Sequence, residues 1–187
     1  MSRRSTGANQ TSHGAPSAIF YKCSIYGIVL FIVGIMQVTF FARINFFDAT
    51  PDLLLAAVVF LAMKEERAVT AICGIISGFI YYALGTGSVL YIFFSFAIAC
   101  VLPIMTKLVF GRSFPSFLAL CAMGFCIKGL YNFAIASLEG YSFNVVRVAY
   151  VTVIPEAFSS LLLCGVSYLI FKFTCSAVGE GISSRTS

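Results

Sequence analysis

The sequence predicts an all-α integral membrane protein with six transmembrane helices. Of its 187 residues, 60% are hydrophobic and 10% are charged, whereas ordinary soluble domains carry about 25% charged residues. The apolar residues fall into six runs, several of them close to the roughly 20 residues that a helix needs to cross a bilayer. Most charged residues lie in the short segments between the runs. The composition therefore excludes a water-soluble domain of useful size.

The six predicted spans lie between two terminal tails. They cover residues 19–42, 50–63, 68–84, 88–110, 115–138 and 151–173. Residues 1–17 are rich in Ser, Gly and Thr and cannot bury enough apolar area to fold alone, so we expect a disordered cytoplasmic tail there. Residues 18–174 then form the six-helix membrane domain, and residues 175–187 form a short cytoplasmic tail.

The orientation follows from the Lys and Arg residues between the spans, because positively charged loops are retained in the cytoplasm. With the N-terminus inside, only Arg43 and Arg147 lie outside. The basic residues on the cytoplasmic side are Arg3, Arg4, Lys64, Arg67, Lys107, Arg112, Lys172 and Arg185. Both termini are therefore predicted to be cytoplasmic. The net charge of +5 indicates topology rather than nucleic-acid binding.

Lys128 falls near the middle of the fifth span, where a charge costs about 2.5 to 3.5 kcal/mol on insertion scales. We therefore expect its side chain to face protein rather than lipid. Asn132 lies one turn further along the same helix face. In the sixth span Glu156, Ser160 and Ser167 form a sparse polar stripe. Two interpretations of Lys128, Asn132 and Glu156 remain open: a buried polar clasp between helices, or a site for an ion, a proton or a ligand.

The second span is short for a membrane helix. From Pro51 to Met63 a helix covers only about 20 Å at 1.5 Å per residue, less than the roughly 30 Å hydrocarbon core. Its start is nevertheless well specified, because Thr50 can cap it, Pro51 suits the first turn and Asp52 lies near the positive end of the helix dipole. Such a short helix is best accommodated inside a helix bundle or beside a partner helix. Asp52 then needs a partner of its own.

Gly74 and Gly78 in the third span are four residues apart, a spacing that indicates close helix packing. No pattern indicates enzyme chemistry, because the chain has one histidine, no phosphate-binding glycine loop and no clustered metal ligands. The seven cysteines form no CxxC pair. The sequence therefore predicts a non-enzymatic protein without a cofactor or a metal. A membrane enzyme with Lys128 as its base remains an alternative.

Three stretches resemble the bacterial rod-shape-determining protein family MreD. They are "TPDLLLAAVVFLAM" before a charged turn, "GIISGFIYYALGTGS", and "VIPEAFSSLLLCGVSYLIFKF". The matching residues are Pro51, Asp52, Leu53, Leu54, Leu55, Gly74, Gly78, Gly85 and Pro155. The sequence departs from the family pattern at Tyr82, where an acidic residue is frequent, and at Ser159 and Ser160, where the family often has an Asn. The chain is therefore similar to a divergent member.

The resemblance implies a scaffold subunit of the complex that guides sidewall peptidoglycan synthesis in elongating bacteria, in the cytoplasmic (inner) membrane. The implied partners are the single-span protein MreC, the actin-like filament MreB, and the RodA glycosyltransferase with its transpeptidase; no nucleic acid is implied. Recognition in lipid would depend on helix packing and a few interhelical hydrogen bonds. Asp52, Lys128 and the face formed by Gly74 and Gly78 are then candidate partner contacts.

A small-molecule carrier is the alternative function. The MreD family is thought to be similar in fold to the six-helix substrate-binding subunits of energy-coupling-factor vitamin transporters. Pro51 and Pro115 would interrupt the second span of each three-helix half, a pattern that points to midplane binding sites. Against a carrier, the two halves show no other internal similarity. A bound vitamin-like ligand or an ATPase module would favour the carrier, whereas bound MreC or MreB would favour the scaffold.

Overall fold

A computed structural model describes residues 16–41, 51–85, 88–108, 113–138 and 154–186 of the chain. Within these ranges the chain forms six α-helices and no strand, which confirms the all-helical prediction. The helices are α1 (Pro16–Met36), which continues as a π-helical turn over Gln37–Phe41, α2 (Leu53–Lys64), α3 (Arg67–Ala83), α4 (Leu90–Leu108), α5 (Phe114–Leu138) and α6 (Ile154–Thr186).

Four of the described helices are long and apolar enough to cross a membrane. The spanning segments are Ile19–Phe40, Leu90–Lys107, Phe114–Ile135 and Ile154–Val178, whereas α2 and α3 are apolar but shorter. Large apolar side chains are exposed on the long helices, among them Phe93 at 67% and Leu130 at 70%. Exposed apolar surface on this scale indicates contact with a membrane or a partner. The protein is therefore a multi-pass membrane protein.

The predicted N-terminal tail lies mostly outside the described residues, whereas the predicted C-terminal tail lies mostly within them. Residues 1–15 of the predicted disordered tail lie outside them, and Pro16 and Ser17 already belong to α1. At the other end of the chain, α6 continues past residue 174 as far as Thr186. No proline follows Pro155 to end the helix. The predicted C-terminal tail is thus a helical extension of the last span over its described part.

Helix α2 is the centre of the fold. Every residue from Pro51 to Met63 is buried, and α2 packs against each of the other five described helices. The ring of Phe60 meets those of Phe117 and Tyr168 edge to face. A helix that is apolar all round is stable where it is enclosed. This enclosure provides the bundle interior that a helix of only 12 residues, about 18 Å long, requires.

Helices α3 and α4 pack closely through the two glycines of the third span. A Cβ atom added at Gly74 would lie 2.4 Å from the Cβ of Ala99, and one added at Gly78 would lie 2.7 Å from the Cα of Ile92. The prediction that these glycines allow close helix packing is confirmed. The face that they form is covered by α4 of the same chain, so any effect of these glycines on a partner helix would be indirect.

The prediction that Pro115 interrupts a membrane span is wrong. Pro115 lies in the first turn of α5, which then runs unbroken for 25 residues. Proline is well tolerated at that position because the first amides of a helix have no intrahelical partner. The proline inside a helix is Pro103 of α4. The matched pair of interruptions that favoured a carrier is therefore absent from the described helices.

Candidate functional site

Three charged side chains from three helices meet at one end of the bundle, where α2, α4 and α6 begin. The Nζ of Lys128 lies 2.6 Å from Oδ2 of Asp52 and 2.6 Å from Oε1 of Glu156. It also donates to the hydroxyl of Tyr81 at 3.2 Å. The hydroxyl of Tyr91 donates to Oδ2 of Asp52 at 2.8 Å. We refer to these five residues as the charged cluster.

Lys128 is the centre of the charged cluster, and its side chain is 3% exposed. An ammonium group has three N–H donors, and each has an acceptor here: two carboxylates and one tyrosine hydroxyl. The rings of Tyr81 and Tyr91 lie 5.0 and 5.6 Å from the Nζ, a distance at which cation–π attraction acts. These contacts offset the lost hydration of a buried charge. The prediction that Lys128 faces protein is confirmed.

Asp52 has two roles at the start of α2. Its Oδ1 accepts a hydrogen bond from the backbone N–H of Leu55 at 3.0 Å, which makes Asp52 the N-cap of the helix. Its Oδ2 carries the ion pair with Lys128. Thr50, the predicted cap, lies outside the described residues; the capping side chain that the structure describes is that of Asp52, directly before Leu53.

The other backbone N–H groups at the start of α2 are bonded to neighbouring helices. The N–H of Asp52 donates to Oγ of Ser160 at 2.9 Å, and the N–H groups of Leu53 and Leu54 donate to Oε1 of Gln37 at 3.0 and 3.3 Å. With the cap bond, all four initial amides have acceptors. A helix can therefore begin in the protein interior, where an unbonded amide would be costly.

Replacing Gln37 with Leu is expected to lower the melting temperature of the purified protein. The variant leaves the buried amides of Leu53 and Leu54 without an acceptor, and an unsatisfied buried donor costs about 1 to 3 kcal/mol. Thermal unfolding in detergent, followed by circular dichroism, measures the change. Met36→Leu is the matched control, because its side chain is adjacent in sequence and 40% exposed. Equal melting of the two variants would contradict this role of Gln37.

The structure brings Asp52, Lys128 and Glu156 together but leaves Asn132 apart. Asn132 is partly exposed on α5, and no hydrogen bond joins it to the charged cluster among the described residues. The direct lysine–glutamate contact therefore does not need the amide.

Gly74 and Gly78 lie outside the charged cluster but support it. A Cβ atom at Gly78 would come within 3.3 Å of the backbone oxygen of Tyr91. The close approach of α3 and α4 lets the rings of Tyr81 and Tyr91 stack with their centroids 4.1 Å apart. Both hydroxyls then reach the charged groups. The glycines thus position two tyrosines rather than contacting the charges themselves.

Sequence reasoning did not single out Gln37, Tyr81 and Tyr91. Tyr81 follows Gly78 by three residues and so lies on the same helix face, and this spacing could have identified it. Tyr91 lies one turn before Ser95, which also packs on the glycine face. For Gln37 the only signal in the sequence is a polar residue near the end of an apolar span.

A second polar network holds the other end of α2. Lys22 forms an ion pair with Oε2 of Glu65 at 2.7 Å, and the hydroxyl of Tyr26 donates to Oε1 of the same carboxylate at 2.6 Å. The Tyr26 hydroxyl also lies 3.4 Å from Sγ of Cys175. The turn after α2 is thereby joined to α1 and α6. Sequence reasoning treated this turn only as a cytoplasmic connection and missed the inward carboxylate.

Outside these two networks, two recesses among the described residues are apolar and open. A groove of about 620 Å³ lies between α1 and α3, and one of about 270 Å³ lies between α4 and α5. Neither is lined by a member of the charged cluster. Among the described residues, no group of three or more His, Cys, Asp or Glu side chains could hold a metal ion. The charged cluster is therefore the candidate functional site.

Comparisons of the chain with protein-family models, with curated proteins and with solved structures find no match. The observations that bear on function are the geometry of the charged cluster and the sequence motifs that build it.

Proposed function

We propose that this protein is a non-enzymatic membrane subunit of the bacterial cell-elongation complex, related to the MreD family, which scaffolds peptidoglycan synthesis and regulates cell shape. The observation that carries the proposal is the position of the P-D-L-L-L stretch. This stretch bears the resemblance, and it forms the start of the enclosed central helix α2. Its Asp52 pairs with Lys128. The motif is thus part of the interior that determines the arrangement of the helices.

The proposal takes α2 and α3 as the second and third of six spans, joined as a hairpin. The exposed residues Lys64 and Arg67 lie at its turn, Lys107 is exposed in the last turn of α4, and Lys172 is exposed in the second half of α6. Alternating helices bring these basic residues to one side of the membrane. By the positive-inside rule that side is cytoplasmic, which supports an inner-membrane protein with both termini inside.

We assign the contacts with the proposed partners to the outer surfaces of the bundle. These partners are MreC, MreB and RodA with its transpeptidase. The charged cluster and the glycine face are internal, so they act by fixing the shape of those surfaces. Exposed apolar side chains on α1, α4 and α6 are suitable for packing against partner helices in lipid. The role of Asp52 and Lys128 in the complex is therefore indirect.

Depletion of the protein in its native organism tests the proposed function. We expect rounded, swollen cells, and we expect MreC to co-purify with the tagged chain from the same membranes. Expression of the wild-type chain or of Lys64→Met should restore rod shape, because Lys64 is exposed and outside both polar networks. Cells that keep their normal shape but acquire a nutrient requirement would overturn the proposal.

The second candidate is a vitamin-type carrier of the energy-coupling-factor class. It is favoured by one observation: the side chain of Glu156 is 18% exposed beside the Lys128 charge, where a charged ligand could approach. The same lysine has all of its donors occupied by protein, which weakens this candidate. Native mass spectrometry of the protein released from membranes separates the two, because a carrier should retain a small ligand or an ATPase module.

A further inference from the structure

The groove between α1 and α3 is a wedge, closed at one end of the two helices and open at the other. At Gly34 the helices are in close contact, because a Cβ atom added there would lie 2.7 Å from Cγ2 of Ile80. At Gly27, about two turns earlier, an added Cβ would meet its nearest neighbour, Cδ1 of Ile76, at 3.7 Å. That is an ordinary contact distance, so Gly27 has room for a side chain. The open part of the wedge is the apolar groove of about 620 Å³.

The groove is about as long as one leaflet of a bilayer. Its lining on α1 runs from Ile19 to Phe31, which is about 18 Å at 1.5 Å per residue. Half of the roughly 30 Å hydrocarbon core is about 15 Å. A partner helix that crosses both leaflets would meet the closed part of the wedge at Gly34, whereas a hydrocarbon chain of one leaflet ends before it. The length therefore favours a lipid chain over a helix.

The open end of the groove lies level with the charged turn between α2 and α3. Lys22, near the start of the groove on α1, forms an ion pair with Glu65 of that turn. The turn also has two exposed basic residues, Lys64 and Arg67, and one exposed acidic residue, Glu66. Two positive charges against one negative charge leave the exposed part of the turn positive. A positive segment at a membrane surface attracts anionic lipid headgroups.

We propose that the groove binds one hydrocarbon chain of an anionic phospholipid, whose headgroup lies beside the turn at residues 64–67. The chain packs between α1 and α3 where the two helices diverge. The hydroxyl of Ser24, in the lining, already donates to the carbonyl oxygen of Phe20, so the ligand meets an apolar surface. The bound lipid joins α1 to α3 in the leaflet where their own contact is open. This inference does not depend on the proposed function.

Native mass spectrometry of the delipidated wild-type protein tests the site. The two probes are phosphatidylglycerol, which is anionic, and phosphatidylcholine with the same chains, which is zwitterionic. We expect one phosphatidylglycerol to be retained at a lower lipid concentration than phosphatidylcholine. Arg67→Gln should weaken this binding about fivefold, the effect of one basic residue near a membrane surface. Lys107→Gln, on a helix that does not line the groove, should leave it unchanged. Equal retention of the two lipids by the wild type would overturn the proposal.

A side chain placed in the groove tests the position of the lipid. Gly27→Phe should abolish retention of the tightly bound phosphatidylglycerol, because the ring occupies the space of the lipid chain. Gly165→Phe adds the same ring to α6, where an added Cβ meets nothing within 4 Å, and should retain the lipid. Retention of the lipid by folded Gly27→Phe would contradict the site, as would a co-purified protein chain that this variant alone loses.

Photo-labelling of the wild type decides the case in which Gly27→Phe does not fold. Phosphatidylglycerol with a diazirine in one chain is bound and irradiated, and the labelled residues are identified by peptide mass spectrometry. We expect more label on residues 19–31 of α1 and on Ile72 or Ile76 of α3 than on other exposed apolar residues such as Leu130. Label spread evenly over the exposed apolar surface would mean that the lipid has no preferred position, and the proposal would then be wrong.

Discussion

Replacing Lys128 with Met is expected to remove most of the folded, monodisperse protein recovered in detergent. The variant keeps the length of the side chain but leaves Asp52 and Glu156 without their cation inside the bundle. Removal of one partner from a buried ion pair costs about 3 to 5 kcal/mol, a large part of the roughly 5 to 15 kcal/mol that stabilises a folded protein. Size-exclusion chromatography gives the yield, and thermal unfolding of the remaining folded fraction gives the stability.

Two further variants separate the ion pair from a general effect of losing a lysine. Lys64→Met removes an exposed lysine at the end of α2 and should behave like the wild type. Asp52→Asn combined with Lys128→Met should recover part of the yield, because Asn still caps a helix and the aspartate no longer leaves an unpaired charge. If Lys128→Met and Lys64→Met give equal yields, the cluster does not hold the helices together.

Replacing Gly78 with Leu is expected to produce the second large loss of stability, at or above the upper end of the roughly 1 to 3 kcal/mol that overpacking costs. The new Cβ would lie 2.7 Å from the Cα of Ile92. A backbone atom cannot move aside as the end of a side chain can, so α3 and α4 must separate. Their separation also breaks the stacking of Tyr81 on Tyr91 and draws Tyr91 away from Asp52.

The matched control for Gly78 is Gly165 of α6. A Cβ atom added at Gly165 meets nothing within 4 Å, so Gly165→Leu should be neutral or should gain up to about 1 kcal/mol from helix propensity. Melting temperatures of the two variants in the same detergent provide the comparison. If the melting temperature of Gly78→Leu equals or exceeds that of Gly165→Leu, the α3–α4 contact is not as close as described.

The helices and the isolated charges could be predicted from the sequence, because both depend on local properties. Apolar runs identify membrane helices, and a lysine within such a run must face protein. The same reasoning identified Glu156 as a possible counter-ion. It went wrong at Pro115, because proline marks either an interruption or a first helical turn, and the run of apolar residues after it does not distinguish the two.

The pairing of Asp52 with Lys128 could not be predicted from these patterns. The two residues are 76 positions apart, and periodicity shows which face of a helix is polar but not which helix that face meets. The central position of α2 was predicted only in part, because its shortness favoured a place inside a helix bundle or beside a partner helix without choosing between the two. In a membrane, a helix that faces lipid and a helix enclosed by protein can have the same apolar composition, because lipid tails are as apolar as a protein interior.

The enclosure of α2 has a consequence for the biosynthesis of the protein. The acceptor for the Asp52 amide is Ser160, which the ribosome adds 108 residues later, and Lys128 also follows α2 by several helices. A newly made α2 is too short to cross the bilayer alone, and its aspartate lacks the cation that the structure describes, Lys128, until α5 arrives. Assembly of the centre of the protein is therefore completed from its C-terminal end. A chain released before α6 is made would expose an unfinished helix start to the membrane quality-control machinery.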